Sequence, residues 1–273
     1  IALGSLGATV APGMLLASAQ AEDSIEIEKD GTKYKSRKKY NSTYTGTQLN
    51  KIAFPVGGIG AGMFCLEGTG AISHMSVRHN PELFFEPAMF AAIYIKGVEN
   101  GARVLEGPVP EWKKFGQRDA GLGGTGGATW GLPRFPAVEF KARFPFAEII
   151  LKDPALPVEV KIKGWSPFVP SQEDLSSLPV GALEYTFVNK GAKTEDYVFS
   201  YNSRNFLKQN GSNAIKAMKN GFVLTQDGSV NEPERRAAFA IYTHDGATTV
   251  DYCWFRGGWF DPLTMVWKNI SEG

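Results

Sequence analysis

Apolar and polar residues alternate with a period of two in several segments of this chain. The clearest cases are residues 138–144, 158–163 and 197–201. Such alternation is typical of a β-strand with one buried face and one solvated face. Four further runs, rich in β-branched and aromatic residues and bounded by turn-forming residues, also predict strands: 183–188, 221–225, 238–243 and 248–255.

Six dipeptides typical of tight hairpin turns punctuate the chain: Asp30-Gly31, Asn100-Gly101, Asn210-Gly211, Asn220-Gly221, Asp227-Gly228 and Asp245-Gly246. They favour antiparallel hairpins over parallel βαβ units. A short helix is indicated over 213–219, where Ile215 and Met218 are three residues apart, and no long amphipathic pattern appears. The predicted fold class is therefore all-β, as an antiparallel β-sandwich of two packed sheets.

Residues 54–64, FPVGGIGAGMF, place four glycines between apolar runs. A dinucleotide-binding fingerprint would need glycine where Met63 stands, and a Walker loop would need lysine and a hydroxyl at Met63 and Phe64. Neither motif fits. Because glycine permits positive φ and close backbone approach, we interpret the segment as a structural feature of a strand crossing or bulge.

The beginning of the chain predicts export. Residues 1–21 are rich in Gly and Ala and end in Ala19-Gln20-Ala21, an A-x-A cleavage pattern ahead of Glu22. We interpret them as the remnant of a signal peptide whose start lies upstream. Their weak hydrophobicity would suit a twin-arginine signal to the periplasm or exterior. The run is shorter than the ~20 apolar residues of a membrane span. Residues 22–48 are predicted to form an N-terminal arm, and 49–273 the sandwich.

The amino-acid composition excludes further classes of protein. Of 273 residues, 43% are apolar and 21% are charged, which disfavours wholesale disorder and a multi-span membrane protein. The formal net charge is +1 and most basic residues are scattered, so we expect no nucleic-acid partner.

The sequence predicts no metal or cofactor site. Cys65 and Cys253 lie in apolar, strand-like segments of the sequence. Export would permit a disulfide between them, but a buried free thiol is the favoured interpretation for each. His74, His79 and His244 are dispersed and lack the spacing of a metal cluster.

Candidate carboxylates occur in β contexts at Glu67, Glu139, Glu148, Glu159 and Glu184. A glycosidase needs two carboxylates flanking the scissile bond. Several of these glutamates fall on the polar phase of alternating strands, where side chains are usually exposed, so we assign none as catalytic.

Five tryptophans, Trp130, Trp165, Trp254, Trp259 and Trp267, could stack on sugar rings, although core or interface packing is the preferred interpretation. Trp130 is the candidate carbohydrate contact. It lies in a glycine-rich loop, 121–131 (GLGGTGGATWG), which could be a surface loop or a functional flap.

Three segments resemble, in order, the N-terminal domain of glycoside hydrolase family 116, the non-lysosomal glucosylceramidase or bile-acid β-glucosidase family. They are residues 54–64, 144–189 and 255–273. The middle segment is the most specific, because its DPxLPVEV, SPFxP and LPV elements recur at matching intervals.

The resemblance implies a β-sandwich packed on a C-terminal (α/α)6 barrel of the same polypeptide, which cleaves β-glucosides with retention and needs no redox cofactor. Both catalytic carboxylates would belong to the barrel, which this chain lacks, so the resemblance assigns no catalytic residue to it. Two alternatives stay open. One is a free-standing carbohydrate-binding sandwich that uses Trp130 and other exposed aromatic residues, and the other is a self-sufficient jelly-roll glycosidase with two inward carboxylates.

Overall fold

A computed structural model of the chain describes residues 26–29, 32–35, 41–77, 80–83, 85–115, 129–208, 212–244, 246–254 and 262–273. The chain divides into two compact units, 2–42 and 43–273. In the first unit the described residues form an antiparallel hairpin of β1 (Glu26–Lys29) and β2 (Thr32–Lys35).

The second unit contains fourteen described strands and three short or medium α-helices. In chain order they are β3 (Tyr44–Thr45), β4 (Ala53–Val56), β5 (Met63–Glu67), β6 (Ile72–Ser76), β7 (Met89–Ile95), β8 (Ala102–Val104), α1 (Glu111–Phe115), β9 (Ala137–Arg143), β10 (Phe146–Lys152), β11 (Val158–Trp165), α2 (Glu173–Ser176), β12 (Ala182–Asn189), β13 (Tyr197–Ser203), β14 (Asn213–Met218), β15 (Gly221–Gln226), β16 (Ala237–Tyr242) and α3 (Pro262–Glu272). Single 3-10 turns occupy Thr129–Gly131 and Pro233–Arg235, and a longer one Gly46–Lys51.

The strands assemble into four antiparallel sheets. One has five strands in the order β12-β11-β10-β9-β3, and three have three strands in the orders β13-β7-β8, β4-β5-β6 and β14-β15-β16. The predicted all-β, antiparallel fold class is confirmed. The edge strand β3 of the large sheet lies within residues 22–48, which the sequence pattern predicts as an N-terminal arm. The predicted domain limits stay predictions.

Period-two alternation builds the five-stranded sheet. Along β10 and β11 every second side chain, such as Ile149 and Val160, is fully buried, and the intervening residues are mostly Lys and Glu. On the outer face Lys152 pairs with Glu139 at 2.6 Å. We call this outer face the charge ladder. The inner face is therefore apolar and carries the core.

The core lies between the inner face of the large sheet and strands β4, β5 and β7, with Val56, Leu66 and Ile93 fully buried in one cluster. Strand β7 is buried on both faces. Its alternate residues Phe90 and Ala92 belong to a second cluster, in which they are covered by α3.

Helix α3 was not predicted by the sequence pattern. Pro262 stands at its first position, a favoured place for proline. Leu263, Val266 and Ile270 fall on one face at the i, i+3, i+7 spacing and are buried against β7 and β8. The apolar spacing typical of a helix is present in the sequence, but it is short because the helix has only eleven residues.

The predicted helix over 213–219 is wrong, because these residues form β14 and a tight turn. Met218 pairs with Gly221, and Asn220 adopts a left-handed φ of 53° in the connecting turn. Nearly every side chain of β14 is exposed. The spacing of its apolar residues therefore does not mark a buried helical face.

The predicted strand over 248–255 is also wrong for its described part, 248–254, which contains no strand. Its apolar character has another cause. The Trp254 ring packs edge-on against Phe90 at 6.2 Å between centroids, and the Arg204 guanidinium lies 5.4 Å from it. These residues cover β7 instead of extending a sheet.

The glycine-rich segment is structural, as predicted from its spacing. A Cβ added to Gly58 would lie 2.0 Å from the Leu178 carbonyl oxygen, and Gly62 has a φ of +95°. The Ile59 amide donates to the Ser176 carbonyl at 2.9 Å. The segment therefore docks its backbone directly on the turn that follows α2.

Several sequence-based predictions lie outside the described residues: the segment 1–21, Asp30-Gly31, His79, Asn210-Gly211, Asp245, Trp259 and the loop residues 121–128. No described helix has the length and apolar character needed to cross a membrane. Cys65 and Cys253 are not joined by a disulfide. Cys65 is buried, as predicted, whereas Cys253 is only partly buried.

Candidate functional site

Five charged side chains and one tryptophan line a cleft beside the end of β5: Glu67, Glu86, Glu106, Lys113, Arg134 and Trp130. We call it the Trp130 cleft. It holds about 180 Å³ of space free of atoms, part of it open to solvent. Much of that space is open solvent, and the enclosed part has room for about one water molecule.

Two anchored elements bring opposite charges to the cleft. Glu67 is the last residue of β5, and Lys113 lies in α1. The indole nitrogen of Trp112, the residue before Lys113, donates to the Asn50 carbonyl at 2.8 Å. This bond ties α1 to the 3-10 turn that precedes β4.

A second segment runs beside β8 and carries Arg134. The Val104 amide donates to the Pro133 carbonyl at 2.9 Å, and the Phe135 amide donates to the Glu106 carbonyl at 3.0 Å. Arg134 Nη1 donates to the Glu106 carboxylate. Arg134 Nη2 donates to both the carbonyl and the hydroxyl of Thr129, each at 2.7 Å. These bonds hold the turn that presents Trp130.

Lys113 bridges two carboxylates. Its Nζ lies 2.8 Å from the Glu67 carboxylate and 3.0 Å from Glu86 Oε2. The Lys113 and Glu67 side chains are only 5% and 7% exposed, whereas Glu86 is 30% exposed. Buried charges are tolerated when they are paired and hydrogen-bonded, which is true of this lysine and its partners.

Burial and neighbouring charges shift the titration of this network. Burial raises the pKa of Glu86, and the Glu67 charge adds to that rise, while Lys113 opposes it. For Lys113, burial acts to lower the pKa, but Glu67 and Glu86 together hold the pKa above its ordinary value. Three carboxylates face two cations, so the fully ionised cleft carries one excess negative charge.

The network is not arranged as a catalytic pair. Glu67 and Glu86 touch the same Lys113 nitrogen, which puts the two carboxyl groups within about 6 Å, close to the separation used for retaining hydrolysis. Lys113 lies between the two carboxylates and is bonded to both of them. We therefore interpret the three residues as a structural ion-pair network.

Of the glutamates considered from the sequence, Glu67 alone lies in the cleft. Glu139, Glu148 and Glu159 pair with lysines, with Glu139 and Glu148 on the charge ladder, and Glu184 accepts from Trp165 Nε1 at 2.8 Å. The other four charged cleft residues were not predicted. They lie in loops, in α1 or just beyond β8, where no periodic pattern marks a buried side chain.

Trp130 is a partly buried wall of the cleft. The other described tryptophans considered from the sequence have other partners: Trp165 donates to Glu184, Trp254 packs on Phe90, and Trp267, which belongs to α3, packs against the second cluster. Its role as a carbohydrate contact stays a prediction. In the described parts of the chain, no group of three His, Cys, Asp or Glu residues could hold a metal ion.

Comparison with known families gives one match. The family model described as "beta-glucosidase 2, glycosyl-hydrolase family 116 N-term" matches residues 53–273. This range begins at the first residue of β4 and extends through α3. No curated protein matches the chain.

Proposed function

Because the chain belongs to the N-terminal-domain family of glycosyl hydrolase family 116, we propose that it is the non-catalytic β-sandwich of an exported β-glycosidase that hydrolyses β-glucosides with retention. In this proposal the nucleophile and the proton donor lie in a C-terminal (α/α)6 domain of the same polypeptide. The sandwich supports that domain and needs no cofactor.

The observation that carries the proposal is the family match over the sandwich, from β4 to α3. The chemistry of the Trp130 cleft agrees with a non-catalytic role. Glu67 and Glu86 share Lys113, and Glu106 is held by Arg134. A retaining glycosidase needs one carboxylate that is free to act as nucleophile, and each of these three carboxylates is bonded to a cation.

The second candidate function is a carbohydrate-binding sandwich, and the position of Trp130 favours it. A binding module of the usual kind presents several coplanar aromatic rings to solvent. Among the tryptophans that the structure describes, Trp130 stands by itself as a wall of the cleft, while Trp254 is packed on Phe90. A single ring would support one sugar unit rather than an extended chain.

The proposal is tested by assaying the 273-residue chain and the longer gene product side by side on an aryl β-glucoside. We expect no saturable turnover from the chain and saturable turnover from the longer protein. For the longer protein, NMR of the first product should show the β-anomer, the mark of retention. Absence of activity in the longer protein would refute the proposal.

A matched pair of variants separates contamination from real activity in the short chain. Glu86→Gln removes a cleft carboxylate, and Glu148→Gln removes one from the charge ladder. Turnover by the 273-residue chain that Glu86→Gln abolishes and Glu148→Gln preserves would overturn the proposal in favour of the self-sufficient glycosidase.

Export is the remaining part of the proposal, and it has its own test. It rests on Ala19-Gln20-Ala21, which precedes Glu22 as a signal-peptidase site would. N-terminal sequencing of the secreted protein is expected to begin at Glu22. A mature protein that keeps residues 1–21 would refute cleavage at this site.

A further inference from the structure

Large apolar side chains are exposed together at one corner of the second unit. They come from three segments: the glycine-rich segment, the turn between β9 and β10, and the segment that contains α2. We call this surface the Phe144 corner. Its members are 39–63% exposed, and they are Ile59, Phe144, Phe146, Phe168, Leu175 and Leu178.

Contacts between the three segments make the corner one continuous surface. The Phe144 and Phe168 rings meet edge-on at 5.0 Å between centroids. The Ser176 hydroxyl bonds to the backbone N–H and carbonyl of Val169, each at 3.0 Å. The Ser176 carbonyl accepts from the Ile59 amide at 2.9 Å. The six side chains therefore project from a surface whose backbone is fixed by hydrogen bonds.

The exposed area of the corner matches one side of a protein–protein interface. A large side chain has about 200 Å² of surface, so the exposed fractions of the six correspond to roughly 500–600 Å². A standard interface buries about 800 Å² per partner, and in homodimers about 65% of it, or roughly 500 Å², is apolar. A small molecule would cover only part of this corner, whereas a protein surface would cover all of it.

Charges on the two sides of the corner have opposite sign. The sheet side carries an excess of one positive charge, from Lys141, Arg143 and Lys163 with Glu148 and Glu184. Lys163 Nζ lies 4.8 Å from the centre of the Phe146 ring, so this side borders the corner directly. The α2 side carries Glu173 and Asp174, which are both exposed, and no lysine or arginine occurs from 165 to 189.

A two-fold axis through the corner makes this surface complementary to itself. Rotation by 180° lays the six apolar side chains of one copy on those of the other, and it places each acidic α2 side against the basic sheet side of the partner. Such an interface uses the same patch twice and closes at two copies. An anionic membrane surface is disfavoured as the occupant, because Glu173 and Asp174 would face it.

The position of α3 disfavours a following domain of the same polypeptide as the occupant. A Cβ added to Gly273 would lie 3.1 Å from the Tyr94 ring, so α3 ends near the turn between β7 and β8. Arg103 of β8 bonds to Asp153, just past the last residue of β10, whereas Phe146 is the first residue of β10. A strand of this length spans about 20 Å, so a domain attached after α3 would start at the opposite end of the sheet.

We propose that the Phe144 corner joins two copies of this chain in a two-fold symmetric dimer. The six apolar side chains form the centre of the interface, and at its rim the α2 carboxylates of each copy face the lysines of the partner's large sheet. The dimer does not depend on the proposed hydrolytic function, because the Trp130 cleft takes no part in it.

Sedimentation velocity of the 273-residue chain tests the proposal. We expect one reversible monomer–dimer equilibrium with a Kd in the micromolar range or below. Phe168→Asp places a charge at the centre of the corner, and Leu175→Asp places one on its α2 side. Each is expected to weaken dimerisation by at least about tenfold. Val230→Asp is the control. It changes a side chain that is 99% exposed in the turn after β15, and it should alter the Kd by less than about twofold.

An exchange of charges tests the two-fold arrangement itself. Lys163→Glu and Glu173→Lys are each expected to weaken the dimer by about two- to tenfold, because each brings like charges together across the interface. Both changes in one chain restore opposite charges, and the Kd should return to within about threefold of the parent value. Single variants without effect, or a double variant that is no tighter than the single ones, would refute the arrangement.

The remaining outcomes are equally decisive. A chain that stays monomeric, one that aggregates without stopping at the dimer, or a dimer that Phe168→Asp and Val230→Asp affect alike would each overturn the proposal. A dimer of the longer gene product would support it. If the 273-residue chain dimerises and the longer product does not, a following domain covers the corner and the proposal fails. A longer product that dimerises but does not hydrolyse an aryl β-glucoside refutes the proposed function alone.

Discussion

The charge ladder and the Trp130 cleft both pair lysine with glutamate, but they do so in opposite surroundings. On the ladder Lys152 is 45% exposed and Glu139 33% exposed. In the cleft Lys113 and Glu67 are 5% and 7% exposed. Water screens the first pair and is excluded from the second. The same two side-chain types therefore contribute little to stability in one place and become indispensable to each other in the other.

The largest expected difference comes from removing one lysine in each region. Lys113→Met leaves Glu67 and Glu86 partly or wholly buried without their shared cation, and we expect it to lower the free energy of unfolding by about 3–5 kcal/mol. Lys141→Met on the ladder should cost less than about 1 kcal/mol. Urea unfolding of the 273-residue chain measures both. Equal losses would contradict the contrast between the regions.

A charge exchange gives the next largest difference. Glu67→Lys with Lys113→Glu preserves the charges but misplaces them relative to Glu86, and we expect a loss of at least about 2 kcal/mol. Lys141→Glu with Glu148→Lys on the ladder should stay within about 0.5 kcal/mol of the parent. If both double variants unfold at the parent's urea midpoint, the cleft has no geometric requirement of its own.

The pH dependence of stability should reveal Glu86. Its pKa is raised in the folded state, chiefly by burial, so above the ordinary value of 4.5 the folded protein binds more protons at this site than the unfolded chain. The contribution of Glu86 to the free energy of unfolding must then become more favourable as the pH falls through the folded pKa toward 4.5. Unfolding free energies measured from pH 7 downward are expected to show this gain in the parent and not in Glu86→Gln. Glu148→Gln, the ladder control, should follow the parent; a parallel curve for Glu86→Gln would contradict the assignment.

The smallest effect concerns salt. Lys152→Met is expected to change stability by no more than about 0.5 kcal/mol at low ionic strength, and that difference should vanish near 1 M salt, where the screening length is about 3 Å. The cost of Lys113→Met should persist, because ions do not penetrate a buried pair. Thermal unfolding at two salt concentrations compares them. A salt-sensitive Lys113 effect would show that the cleft is wetter than its burial indicates.

The two regions also differ in what the sequence can predict. On the large sheet, period-two alternation over 158–163 identifies both the buried Val160 and the partly exposed Lys161 that follows it, because successive side chains of a strand point to opposite faces. The cleft is assembled from the end of β5, two loops, α1 and the segment after Trp130. No local pattern encodes that meeting. Trp130 was found from its residue type and its glycine-rich loop, whereas Arg134 and Lys113 gain their importance only from long-range packing.

Sequence patterns failed elsewhere for a related reason. β14 is almost wholly exposed, so its apolar residues carry no information about a buried face. Trp254 lies in an apolar segment that pairs with no strand, and its ring packs on Phe90 instead. The spacing of apolar residues indicates which side chains are buried. It therefore predicts the wrong secondary structure where apolar residues are exposed, as in β14, or are buried outside a strand or helix, as at Trp254.

The double burial of β7 has a consequence for the newly made chain. Its sheet partner β13 is far along the sequence, since Ile95 pairs with Tyr197, whereas β9 to β12 form a succession of neighbouring hairpins. Contacts between distant segments form late, because the entropy of closing a long loop is lost before those contacts can stabilise the chain. While the ribosome makes the residues between these two strands, the apolar side chains of β7 lack one edge partner and the cover of α3. A chaperone that shields an apolar strand would be most useful to this protein during that interval.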